Sequence, residues 1–133
     1  MQFNISEFPN KSKVIITNFG FKSHLGIYIG RGSKFGNPFP IKKSKYSSKI
    51  YSLDESLRLY NSHFLQNIRN SVEWENLIKE FKKNKTITLN CFCINAEFTI
   101  NDYLYLKNNG LESNFSKLKC HGQILAYYLF EVF

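Results

Sequence analysis

The sequence predicts an α/β domain in which helices flank a mainly parallel sheet. Three observations carry that prediction. Short β-branched runs alternate with segments whose apolar residues recur at helical spacing, the order that builds a layered α/β domain. At 133 residues the chain has the length of one domain. Its 43% apolar content, with 13 Phe and 8 Tyr, is enough for one core without disulfide staples, since a chain of this size buries roughly two thirds of its unfolded surface.

Residues 1–12 are polar and carry Pro9, and read as an arm or an edge strand. Val14-Ile15-Ile16-Thr17 is a β-branched run suited to a buried strand. Phe19 to Lys22 forms a turn around Gly20, and Leu25 to Ile29 makes a second strand that runs into a glycine-rich segment. Ser52 or Asp54 caps a helix whose apolar positions are Leu53, Leu57, Tyr60, Phe64, Leu65 and Ile68. Val72, Trp74, Leu77, Ile78 and Phe81 outline a second helix, and Lys82, Lys83 and Lys85 suit the negative end of its dipole. Thr86-Ile87-Thr88-Leu89 opens a third strand that ends at Cys91-Phe92-Cys93. Residues 94–119 follow no regular pattern, with a turn at Asn108-Asn109-Gly110. His121 to Phe133 reads as a closing helix with Ile124, Leu125, Tyr128 and Leu129 inward. No repeat or linker interrupts the chain, so residues 1–133 are expected to form a single domain. Ligands of such sheets sit beyond the carboxyl ends of the strands. Two of the three predicted strands end at Gly30 and Cys91, so those segments are expected side by side.

The formal charge of +8 and pI near 9.4 suit a nucleic-acid partner. They equally suit a solvated lysine surface, because the chain is rich in Lys, Asn, Ile, Tyr and Phe, as AT-rich coding sequences are. Lys42, Lys43, Lys45 and Lys49 form one basic cluster, and Lys79, Lys82, Lys83 and Lys85 another; the arginines are Arg31, Arg58 and Arg69. No apolar run approaches the roughly 20 residues that span a bilayer, and no signal-peptide pattern opens the chain. A cytoplasmic protein without a membrane partner is expected. Cys91, Cys93 and Cys120 make an odd count, which argues for reduced thiols.

The segment Gly30–Pro40 reads as an anion-gripping loop. Gly30, Gly32 and Gly36 permit the backbone geometry that turns several N–H groups toward one anion. Arg31 adds a planar donor fork, Ser33 a hydroxyl and Lys34 a point charge. Asn37, extended because Pro38 follows it, is expected to project its amide into a pocket. Phe35 and Phe39 are placed to stack on a base or exclude water. The plainer alternative is a glycine-rich turn with packed phenylalanines and an exposed arginine. The GxxxxGK[ST] and GxGxxG spacings are both absent.

The run Tyr28 to Phe39 resembles the signature of domain-of-unknown-function family 4326, common in phages and bacteria. That family also has a Cys-aromatic-Cys strand end and a Cys-His-Gly-Asp helix start, matched here by Cys91-Phe92-Cys93 and Cys120-His121-Gly122. The resemblance implies a small Rossmann-like fold with kinship to nucleotide-handling domains, and no established activity. Two departures stand out. An insertion at about 94–119 carries Phe98, Tyr103, Tyr105 and Phe115, aromatics suited to a lid or a self-association surface. Gln123 replaces the family's acid, so if that acid is a base or nucleophile in relatives, this chain binds without turnover.

Cys120, His121, Gly122 and Gln123 open the last helix, where first-turn N–H groups attract anions and a cysteine tends toward thiolate. A buried structural cysteine and a capping histidine are the alternative. Zinc is not expected. Cys91, Cys93, Cys120 and His121 are nominally four ligands, but the usual C-x₂₋₄-C pairs are absent and an adjacent Cys-His pair is poor geometry. His24 and His63 read as incidental, with His63 on the surface; Asp54 and Glu55 as helix N-terminal charges. Glu97 and Asp102 lie in the insertion.

The function expected is binding of a phosphorylated nucleotide-like molecule, a nucleotide or an NAD or ADP-ribose derivative, between the glycine-rich loop and the Cys120 helix start. Sequestration of a signalling nucleotide in a phage anti-defence role, in host cytoplasm, is the setting the resemblance suggests. The alternative is an N-glycosidase or phosphodiesterase using Asn37, His121 or an acid of the insertion, with Arg31 stabilising charge. A nucleic-acid binder ranks third. No cofactor is expected, and self-association is expected through residues 94–119.

Overall fold

The computed structural model describes residues 12–20, 26–41 and 50–132. Residues 1–11 of the expected arm (1–12), His24, Leu25, the Phe21–Lys22 part of the first turn, Phe133 and the cluster Lys42, Lys43, Lys45 and Lys49 lie outside the described residues.

Strand β1 (Lys13–Thr17) alternates half-buried and buried positions, with Val14 and Ile16 sealed in the core. Strand β2 is only Ile27–Tyr28, β3 is Thr86–Asn90, and β4 is Ala96–Thr99. The sheet order is β2-β3-β1-β4. β3 runs parallel to both β1 and β2, and β4 lies antiparallel to β1, so the sheet is mixed and mostly parallel. Register matters for the site. Thr17 and Tyr28 both stand opposite Asn90, so the three parallel strands end at one level. Asn90 O then takes the N–H of Ile29 at 2.8 Å, and Thr17 O that of Cys91 at 2.8 Å. Gly30 and Cys91 therefore leave the sheet side by side, as the strand ends led one to expect.

Helix α1 (Leu53–His63) starts at Ser52, whose hydroxyl accepts from Glu55 N at 3.1 Å. It continues into a π turn, Phe64–Ile68, closed by Arg69 N on Phe64 O at 2.9 Å. Helix α2 (Val72–Asn84) is capped by Ser71 and buries Trp74, Leu77 and Phe81. The closing helix α4 (His121–Glu131) is buried along most of its length, including Ile124, Leu125, Ala126, Leu129 and Phe130. Phe130 meets Phe81 edge-on at 5.3 Å and Phe98 at 6.0 Å, which ties α4 to α2 and β4.

Residues 94–119 depart from the irregular segment expected. They form β4, helix α3 (Ile100–Asn109) and a 3₁₀ turn at Glu112–Lys117. The helix starts because Asp102 Oδ2 accepts the Thr99 N–H at 2.8 Å in a capping box. It ends where Gly110 takes φ +85°. Phe98, Tyr103 and Phe115 are buried in the common core, leaving Tyr105 as the exposed member of the four aromatics. The segment is thus packed as a layer of the domain, with only Tyr105 of these aromatics left for the lid or self-association surface the sequence suggested.

Candidate functional site

Hydrogen bonds fix the loop at residues 30–40 to itself and to α1. Ser33 N and Oγ both donate to Gly30 O, at 3.1 and 2.7 Å, folding the chain back on itself. Gly36 then packs so closely that a Cβ there would lie 2.6 Å from Gly30 O, which only glycine allows. Tyr60 of α1 donates its buried hydroxyl to Phe35 O at 2.6 Å. Asn37 Nδ2 donates to Ser56 Oγ at 2.9 Å, while its Oδ1 accepts from Phe39 N at 2.9 Å. Ser56, fully buried on α1, donates its own hydroxyl to Phe39 O at 2.5 Å.

Between this loop and α1 lies a cavity of about 300 Å³, lined by Arg31, Gly32, Ser33, Lys34, Gly36, Asn37, Pro38, His63 and Asn67. Its lining contains two cations and no carboxylate. Arg31 and Lys34 are exposed and make no ion pair among the described residues. Gly32 takes φ +95°, and a Cβ there would meet open space. His63 is half-buried, with Asn67 Nδ2 donating to its Nδ1 at 3.0 Å. In the neutral ring the proton then sits on Nε2. Burial, and next the charge of Lys34, hold the His63 pKa below its usual value of 6.5. The imidazole is neutral at pH 7.

Arg31, Gly32, Ser33, Gly36, Asn37 and Pro38 thus meet around one cavity. Gly30 is buried at its base, and Phe35 turns into the core against Trp74, with ring centroids 6.5 Å apart. The Asn37 amide, expected to reach into a pocket, is committed at both ends to the protein. His63 and Asn67 are the lining residues that pattern reasoning missed. Their i, i+4 spacing sets the two side by side, as the 3.0 Å contact shows, but only the loop folded over them makes them cavity residues.

The second motif stands apart from that cavity. His121 is buried, with Nε2 donating to Ile29 O at 2.7 Å and its ring 5.0 Å from that of Tyr60. Burial lowers its pKa, opposed in part by the bond to Ile29. Gly122 is pressed so tightly against the sheet that a Cβ would lie 3.1 Å from Ile29 Cδ1. Gln123 Oε1 accepts the N–H groups of Lys119 at 2.6 Å and Cys120 at 3.1 Å, completing a cap. Cys120 Sγ accepts from Gly122 N at 3.3 Å. His121 and Gly122 meet Ile29 beneath the loop, and none of the four residues lines the cavity.

Beside them, the Sγ atoms of Cys91, Cys93 and Cys120 lie within 4.8 Å of one another. Hydrogen bonding from Cys120, then Cys93, draws the Cys91 pKa far down, and the same bond to Cys91 drives that of Cys120 up.

Comparison with known proteins agrees with the motifs. The family described as a domain of unknown function (DUF4326) matches residues 18–130, and the chain belongs to it. No curated protein and no solved structure matches the chain.

Proposed function

We propose that this member of the DUF4326 family binds a phosphorylated nucleotide-like small molecule in the cavity between the Gly30–Pro40 loop and α1. One observation carries the reading. Arg31 and Lys34 rim a concave site that has no carboxylate in its lining and no ion-pair partner for either cation among the described residues. Two unneutralised cations over a glycine-rich turn attract a polyanion. A volume of about 300 Å³ suits part of a nucleotide, such as its phosphates and ribose. Phe39, edge-on to His63 at 6.2 Å, offers an aromatic face nearby. Kinship with Rossmann-like nucleotide-handling domains, a cytoplasmic location and sequestration of a signalling nucleotide during phage infection belong to the same proposal.

A hydrolase acting on such a nucleotide is the second reading, and His63 favours it. Its pKa is held below the usual 6.5, and a neutral imidazole beside two cations has the protonation state of a general base.

Incubation of the protein with cyclic nucleotides, NAD and ADP-ribose derivatives separates these readings. The bound fraction is filtered, heat-released and analysed by chromatography and mass. Intact release identifies a binder, and altered release a hydrolase. Arg31→Ala is expected to weaken retention roughly 10- to 100-fold, the worth of one charge-assisted hydrogen bond. Retention unchanged in Arg31→Ala overturns the cavity assignment. If nothing is retained and nucleic acid binds with steep salt dependence instead, the small-molecule reading fails.

A further inference from the structure

The three cysteines come from two places in the chain and converge on one point. Cys91 follows directly from β3, Cys93 lies two residues on in a bend, and Cys120 caps α4. Cys91 and Cys120 sulfurs are 3.4 Å apart, and all three fall within 4.8 Å of one another. Tetrahedral zinc–thiolate bonds of about 2.3 Å place sulfurs about 3.8 Å apart. The cluster already brackets that spacing.

Backbone donors reach two of the three sulfurs. Cys93 N donates to Cys91 Sγ at 3.3 Å, and Gly122 N donates to Cys120 Sγ at 3.3 Å. Backbone N–H groups aimed at sulfur stabilise a thiolate and orient it, as the outer contacts of metal ligands do. Cys91 and Cys120 are buried while Cys93 is exposed, so the cluster opens to solvent on one side. His121 stays out of it, because its Nε2 is anchored on Ile29 O and its Nδ1 is 3.9 Å from Cys120 Sγ.

We propose that Cys91, Cys93 and Cys120 form a three-thiolate site for a soft closed-shell metal ion, zinc, whose fourth position is open to solvent beside Cys93. Three thiol protons pass to the medium as three sulfur–metal bonds form, and water completes the tetrahedron. Thiolate softness selects zinc over magnesium or calcium. The ion clamps the start of α4 to the ends of β1 and β3, since Cys91 is itself tied to Thr17 O through its N–H at 2.8 Å. This proposal is independent of the anion reading, because none of the three sulfurs lines that cavity.

The test uses the full chain, reduced and kept anaerobic, titrated with Co²⁺. The expected result is one Co²⁺ per chain, with a sulfur-to-cobalt charge-transfer band that Zn²⁺ bleaches. Zn²⁺ should raise the melting temperature of the wild type and not that of Cys93→Ser, an exposed site chosen so that the fold survives. Cys93→Ser should also bind Zn²⁺ at least about 10-fold more weakly. Three outcomes overturn the proposal: no charge-transfer band while three free thiols are counted, equal Zn²⁺ affinity in wild type and Cys93→Ser, or a Cys91–Cys120 disulfide that forms in air despite equimolar Zn²⁺.

Discussion

Removing the Tyr60 hydroxyl with Tyr60→Phe tests how the loop is held to the helix beneath it. The ring is fully buried and its place is filled by Phe, so no cavity opens. What disappears is the 2.6 Å bond to Phe35 O, the tie between loop and α1 at that point. The carbonyl is left without a partner in a site that water does not reach, and an orphaned buried acceptor costs about 1–3 kcal/mol. For a domain of this size that is roughly 3–5 °C of melting temperature per kcal/mol. Burial, and secondarily the field of Cys120, hold the Tyr60 pKa well above 10, so the loss should be the same from pH 6 to pH 9. Urea unfolding read by linear extrapolation gives the stability change, and amide exchange gives its location. Exchange should quicken around Phe35 and Gly36. Tyr28→Phe is the control, because Tyr28 donates to Arg31 O at 2.8 Å on the surface, and its change should stay within about 0.5 kcal/mol. If Tyr60→Phe is no less stable than that control, the loop is not anchored through Phe35.

Phe115→Ala should cost about 3–5 kcal/mol, the usual loss for a buried Phe, whereas Tyr105→Ala on the exposed face of α3 should stay near about 0.5 kcal/mol. Calorimetry of both variants checks whether residues 94–119 are a core layer; equal, small losses refute it. Gly36→Ala should retain native circular dichroism but lose ADP-ribose retention, since its Cβ would lie 2.6 Å from Gly30 O and spread the loop. His63 supplies a pH signature. Its pKa is lowered in the free protein, so free-state stability should fall as pH drops below the unfolded value of about 6.5. A bound pyrophosphate favours the protonated ring and raises that pKa. ADP-ribose affinity should therefore rise as pH falls from 8 toward 5, with proton uptake measured by titration calorimetry in buffers of different ionisation heat. His63→Gln should flatten the profile; an unchanged slope there refutes the role of His63.

Much of the fold was legible locally. The β-branched run at Val14–Thr17, the helical spacing from Leu53 to Ile68 and the cap Ser52 all act within a few residues, so pattern reveals them. Helix α3 was missed because its stabilisation is tertiary: Tyr103 and Leu106 are buried against other elements, and its own apolar face is weak. The capping pair Thr99 and Asp102 and the turn at Gly110 were its local signs. In the site, the glycine-rich segment announced itself through glycines forced by close approach. The Asn37 amide was misread because its partner, Ser56, lies 19 residues away. His63 and Asn67 become cavity residues only when the loop folds over α1, a contact no periodicity encodes.

The Gln123 cap bears on a different matter, what a change of residue type at that position can mean. Its side-chain oxygen takes two backbone N–H groups at the start of α4, the task that an aspartate, Asp102, performs at the third position of α3. A carboxylate there is accounted for by capping and by the positive end of the helix dipole, with no reaction invoked. Drift between acid and amide at 123 thus passes through a mechanically neutral exchange and says nothing about turnover. Position 123 belongs to the helix cap and lies outside the cavity that His63, Arg31 and Lys34 line.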